Sequence, residues 1–173
     1  MSDASAAPVP LRIEPARERD VPAILQLIRG LADYEHLTHE VVATEAGLRA
    51  TLFGTRPAAE VLLGFADDRP VAFAVFFASF STFLGRAGIY LEDLFVLPEW
   101  RGRGFGSQLF RSVAKIAIER DCGRLEWAVL DWNEPALRFY RRQGAQPMDQ
   151  WTVQRLTGAA LRAASTGITT ANT

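Results

Sequence analysis

The run Arg101-Gly102-Arg103-Gly104-Phe105-Gly106-Ser107 carries the most specific chemistry in this chain. It follows an apolar strand pattern ending at Phe95-Val96 and leads into a helical one. Glycines there let a backbone approach phosphate oxygens and adopt positive φ. The N–H groups at the helix start, with the dipole behind them, make an anion site. Arg101 and Arg103 can add charge-assisted contacts. The loop is no Walker A sequence, because Gly-Lys-Ser/Thr is absent. Nor is it a dinucleotide fingerprint: counted from Gly102 the third glycine position is Ser107, and from Gly104 it is Leu109. On its own, the run also reads as a glycine-rich turn with surface arginines.

Adjacent carboxylates, Glu92 and Asp93, precede the loop on the same strand pattern. Regular alternation sends them to opposite faces, so only one points into a given cleft. Their plain alternative is an ion pair with one of the many arginines. Cys122 is the one cysteine, which rules out an intrachain disulfide framework, and it reads as a structural thiol. His36 and His39 have no third ligand in view and read as loop residues rather than a metal site. Trp100 and Trp151 read as packing residues, while Trp127 and Trp132 are candidate cleft walls.

The elements that must hold these residues alternate along the chain. Leu11–Glu14 reads as a strand. Asp20 reads as the N-cap of a helix with Pro22 in its first turn and an apolar face of Val21, Ile24, Leu25, Leu27, Ile28 and Leu31. Thr44 caps a second helix that runs to Phe53 and ends near Gly54. Val61–Ala66 and Val71–Ser79 form a hairpin around a tight turn at 67–70, the second strand being central because both of its faces are apolar. Ile89–Leu97 is the next strand. Gly104–Arg120 is a helix with Phe105, Leu109, Val113, Ile116 and Ala117 inward. Leu125–Leu130 reads as a strand, Pro135–Gln143 as a helix stopped by Gly144, and Trp151–Leu156 as a last strand. The fold class is α/β with a mixed sheet.

Length and charge set the bounds. The chain has 173 residues, 19 basic and 20 acidic, with a net charge of -1 and 49% hydrophobic residues. That is one domain with a core of ordinary size, expected over 11–164, with a flexible leader at 1–10 and a flexible tail at 165–173. Balanced charge argues against blanket phosphate neutralisation, so no nucleic acid is expected. The apolar stretch Val71–Phe80 is about half the roughly 20 residues of a membrane helix. The start lacks a basic, apolar signal sequence, so the expected location is cytoplasmic, with no membrane partner. Eighteen of the nineteen basic residues are arginine; Lys115 is the single lysine.

Three further segments stand around the glycine loop: Tyr90-Leu-Glu-Asp-Leu-Phe-Val96 before it, Asp131-Trp-Asn-Glu-Pro135 at the next strand–helix junction, and Phe139-Tyr140 through Gly144-Ala145 in the helix after that. With Arg-x-x-Gly-x-Gly at 101–106, their order and spacing resemble the GNAT superfamily of N-acetyltransferases. More narrowly they are similar to the diamine (spermidine/spermine) and thialysine N-acetyltransferases, over about Leu11 to Ala164. The resemblance implies the GNAT acyl-CoA fold, a mixed central sheet with a splayed strand pair and flanking helices. It implies acetyl-CoA as co-substrate with no metal, a small-molecule amine as acceptor, and a homodimer.

It also implies roles. Backbone groups of Leu94, Phe95 and Val96 pair with the pantetheine arm, and Arg101 through Ser107, Phe105 included, hold the pyrophosphate. Asn133 holds pantetheine or caps the next helix. Tyr140, near the CoA sulfur, is the acid. Glu92 is the base, with Asp93, Ser81, Thr82 and Glu35 around the acceptor; the resemblance often brings both Glu92 and Asp93 to the cleft around an irregular strand. A base is required because a primary amine of pKa about 10.4 is free in only roughly one molecule in a few thousand at pH 7. Ser81 and Gly30 stand where polyamine enzymes carry acidic residues, which favours a lysine analogue such as thialysine, or a diamine, over spermine. The alternatives are acetylation of a protein lysine or N-terminus, and a non-catalytic CoA-binding sensor.

Overall fold

The computed structural model describes residues 9–167. The described residues fall into two compact units, divided between Ala128 and Val129. The leader expected at 1–10 and the tail expected at 165–173 fall largely outside the described residues.

The first unit is a five-stranded sheet in the order β1-β2-β3-β4-β5, with three helices. The strands are β1 (Arg12–Pro15), β2 (Glu60–Ala66), β3 (Arg69–Ser81), β4 (Arg86–Val96) and β5 (Leu125–Glu126). The helices are α1 (Val21–Tyr34), α2 (Glu45–Phe53) and α3 (Phe105–Glu119). The first four strands pair antiparallel in sequence; β5 joins β4 parallel. The sheet is mixed, as its sequence predicts, and the doubly apolar β3 is its central strand. The β2–β3 hairpin turns on Asp67 and Asp68, at φ 48° and 58°, the left-handed pair that matches strand twist in a two-residue turn.

The periodicities of the helices decide what they bury. Val21, Ile24, Leu25 and Leu27 of α1 are buried; Ile24 and Leu27 pack with Val61, Leu63, Phe73 and Phe95 on one face of the sheet. Phe105, Leu109, Val113 and Ala117 form the buried stripe of α3. On its outer side Lys115 pairs with Glu119 at 3.6 Å, one turn on. The Thr44 hydroxyl accepts from Gly47 N–H at 3.1 Å and starts α2, which ends at Gly54. Asp20 holds the predicted N-cap position of α1 but makes no side-chain cap. A short 3-10 turn precedes α1 and puts Asp20 in a helical conformation, so its carboxylate accepts from Arg17 N–H at 2.8 Å instead of from the first turn of α1.

The strand predicted over Leu125–Leu130 is two residues long. The parallel ladder consists of Ile89 with Leu125 and Tyr90 with Glu126, although β4 continues to Val96. This is where the expected strand pair separates.

The second unit contains α4 (Glu134–Arg142) and α5 (Gly158–Ser165). α4 stops before Gly144, which has φ 86°. The last strand predicted at Trp151–Leu156 is absent: the segment has no regular structure. Its β propensity lacks a neighbouring ladder to satisfy, and propensity without a partner strand does not make a sheet. Trp151, read as a packing residue, is 70% exposed. No helix of the described residues is long and apolar enough to cross a membrane.

Candidate active site

The glycine loop joins β4 to α3 as its spacing predicts. Gly102 and Gly104 have φ 76° and 79°, the left-handed region, and a Cβ at either would meet nothing within 4 Å. Their requirement is conformational rather than steric. Gly104 is the N-cap of α3 and has no side chain to cap with, so the N–H groups of Phe105, Gly106 and Ser107 have no side-chain cap at the helix's positive end. That donor set fits a pyrophosphate. Arg103 lies over Trp100, 4.7 Å from the ring centre, and Trp100 stacks on Phe105.

β4 departs from regularity at one residue. Asp93 pairs with Val75 and Leu91 with Phe76, so Glu92 has no opposite number on β3. Glu92 is the extra residue of a β-bulge. Up to Leu91, odd-numbered residues share the face of Phe76. Past the bulge the phase reverses, and Asp93 and Phe95 share the face of Val75 and Phe73, where α1 packs. The alternation expectation therefore fails here. Glu92 and Asp93 line the same cleft, with Glu35 at the end of α1, Glu40, and an apolar wall that includes Ile28, Leu31, Leu37 and Val41. The cleft is open, with a volume of about 410 Å³.

Electrostatics distinguish the two neighbours. Burial, then the charges of Glu92 and Glu35, push the Asp93 carboxyl up to about 7. Burial also raises Glu35. Glu92 is exposed. The group poised to exchange a proton near neutral pH is thus Asp93, which the sequence offered only as an acceptor contact. Glu40 belongs to the cleft without having been singled out; its position after α1 gave no periodic signal.

Backbone directions follow from the same strand. Leu97 N–H donates to Val71 O at 2.9 Å, so Leu97 and Phe95 turn their peptide groups toward β3. Those of Leu94 and Val96 therefore turn the opposite way, along the stretch where β4 has outrun β5. Phe95 is 3% exposed and its side chain is core, in edge contact with Phe73.

The other predicted residues have surroundings of their own. Ser81 is buried, and its hydroxyl accepts from Leu84 N–H at 3.3 Å, pinning the β3–β4 turn; Thr82 is exposed in that turn, and neither lines the acid cleft. Gly30 packs α1 against β4: a Cβ there would come within 3.2 Å of the Phe95 ring. Trp127 makes an edge contact with Phe110, and Trp132 is exposed. Cys122 is half-buried after α3, and His36 and His39 are exposed after α1. In the second unit Asn133 is 7% exposed and caps α4, its side-chain oxygen accepting from Ala136 N–H at 3.3 Å. Tyr140 is half-buried on α4, its ring in edge contact with Phe139.

The first unit thus presents an open strand edge, a helix start without a side-chain cap and an acid cleft. Residues 23–145 match the model of the acetyltransferase (GNAT) family, and the chain belongs to that family. It is 40% identical to the thialysine N-epsilon-acetyltransferase of Bos taurus, across 87% of this chain and 94% of that protein. It is 35% identical to the L-ornithine N5-acetyltransferase of Arabidopsis thaliana, across 88% of this chain and 86% of that one. Among solved structures, an integron cassette protein from V. cholerae superposes with a TM-score of 0.76 at 25% identity, covering 90% of this chain and 97% of its own. The protein is an acetyltransferase of GNAT type with an α/β fold.

Proposed function

We propose that the chain transfers the acetyl group of acetyl-CoA to a primary amine of a small molecule, a lysine analogue or a diamine, by direct attack in a ternary complex. The observation that carries this reading is Asp93, a carboxyl held near neutral pKa inside an acid cleft with an aliphatic wall. The cleft attracts an ammonium, and the wall of Ile28, Leu31 and Val41 suits its methylene stem. The relatives named for thialysine and ornithine act on amines of that build.

Each residue then has a task. Asp93 takes the proton from the bound ammonium, directly or through water, with Glu92 at the mouth of the cleft. The freed nitrogen attacks the thioester carbonyl carbon, forming the C–N bond as the C–S bond breaks. The N–H of Leu94 donates to the carbonyl oxygen as it gains charge. By the resemblance, Tyr140 gives the departing sulfur its proton and is reprotonated by the second proton that the nitrogen sheds as the amide forms. Phe105, Gly106 and Ser107 hold the pyrophosphate through their N–H groups, with Arg103 beside them. Asn133 orders the start of α4. The homodimer implied by the resemblance is part of the same proposal.

The test is thiol release from acetyl-CoA with thialysine, lysine, ornithine, diamines, spermidine, spermine and amino-terminal peptides. Turnover of lysine analogues or short diamines above spermine, with intersecting double-reciprocal lines, is the expected outcome. Preference for peptides, or for spermine alone, would refute it.

A further inference from the structure

The two arginines of the glycine loop have different surroundings. Arg103 stays with the loop, over Trp100. Arg101 turns the other way. Its guanidinium carbon is 4.2 Å from the centre of the Tyr34 ring and 5.4 Å from that of Phe95, and its Nε–H donates to Val96 O at 3.0 Å. Tyr34 ends α1, and Glu35, which lines the acid cleft, is the next residue. Ile28 and Leu31 of the same helix form the cleft's apolar wall. Arg101 therefore bridges the end of β4, where the thioester would lie, and the helix that walls the acceptor.

We propose that Arg101 is a positioning residue for the acceptor cleft: by stacking on Tyr34 and donating to Val96 O, it sets the end of α1, and Glu35 with it, against the end of β4. It is the first residue of the phosphate loop in sequence, yet its flat face is committed to the acceptor side, over Tyr34, while its Nε–H is held by Val96 O at the open edge of β4. The planar fork is essential to this task, since an ammonium is a point charge with no Nε–H and no face to lay on a ring. The inference rests on the acetyl-transfer reading above and adds to it a link between the two substrate subsites.

The experiment separates donor binding from acceptor use. Acetyl-CoA dissociation constants come from titration calorimetry, and acceptor KM and kcat from thiol release, for Arg101→Lys, Arg103→Ala, Tyr34→Leu and Tyr34→Phe. Arg101→Lys is expected to raise acceptor KM about tenfold while moving the acetyl-CoA dissociation constant less than about twofold. Arg103→Ala is expected to do the reverse. Tyr34→Leu should match Arg101→Lys, Tyr34→Phe should keep acceptor KM well below that of Tyr34→Leu because it keeps the ring, and the double variant Arg101→Lys/Tyr34→Leu should be no worse than either single one. Weaker acetyl-CoA binding in Arg101→Lys with unchanged acceptor KM overturns the proposal, as do additive effects in the double variant. Should Arg101→Lys fail to fold, the Tyr34 pair decides: equal acceptor KM in the Leu and Phe variants refutes it. Should the unaltered enzyme turn over no amine, the function proposed above fails, and calorimetry alone judges Arg101: loss of acetyl-CoA affinity refutes the assignment and unchanged affinity supports it.

Discussion

Asp93 shows how one side chain acquires an ionisation that its type alone does not confer. Its carboxyl starts from 3.8 and is carried to about 7 by burial and by two neighbouring carboxylates. In the free enzyme, acceptor kcat/KM is expected to rise through a limb near pH 7, and Asp93→Asn should abolish that limb and most of the activity. Stability carries the same signature with a definite sign. The folded pKa is raised, so the native state holds a proton between about pH 4 and 7 that the unfolded chain releases, and stability falls as pH rises through that window. Asp93→Asn removes the cost of the buried charge and should be more stable at pH 8 by on the order of 1–3 kcal/mol, after allowance for the partly solvated cleft. Thermal melts at pH 5 and pH 8 check this: a gain confined to pH 5 would contradict it. Tyr140→Phe should lower kcat at least about tenfold with acceptor KM nearly unchanged, and a variant with normal kcat would remove Tyr140 from the proton path. Glu92 and Asp93 were legible as acids, but the raised pKa of Asp93 was not. It depends on Glu35, far away in sequence, and on which face Asp93 occupies.

That face is decided by an element rather than a residue. One unpaired position at Glu92 inverts the phase of β4, and no hydrophobic pattern announces it, because Leu91 and Phe95 are apolar on either side of the inversion and each is buried, on a different face. The glycine loop was legible, since positive φ at Gly102 and Gly104 demands a residue type that the sequence displays. The central strand and the stripe of α3 were legible for a similar reason: burial dictates their composition. Segment 151–156 misled because alternation states what a strand would bury, not whether a ladder is there to receive it. Gly104→Ala tests the loop as an element. It should cost about 1 kcal/mol of stability from the left-handed N-cap, and it should weaken acetyl-CoA binding more than acceptor binding. Equal acetyl-CoA affinity in this variant, measured by calorimetry, would show that the loop conformation is dispensable.

For the whole molecule, near-zero net charge conceals two local fields of opposite sign. The acid cleft gathers Glu35, Glu40, Glu92 and Asp93, and the loop beside α3 carries Arg103 and a helix start. Raising salt from about 0.02 to 0.2 M should increase KM for a dicationic acceptor several-fold more than for a monocationic one, since screening acts on each charge. Salt-independent KM values would mean that the cleft binds through its apolar wall alone. Lys115 has a consequence of a different kind. An enzyme whose reagent acylates primary amines exposes a single lysine of its own, on the outer side of α3 and in an ion pair with Glu119. Self-acetylation of side-chain amines is therefore limited to one position, and peptide mass spectra after long incubation with acetyl-CoA should show no acetyl-lysine other than Lys115. The same solitary amine makes the surface addressable: an amine-reactive dye or tether will enter lysine side chains at one known point, away from the acid cleft, and report on the enzyme without touching the chemistry it performs.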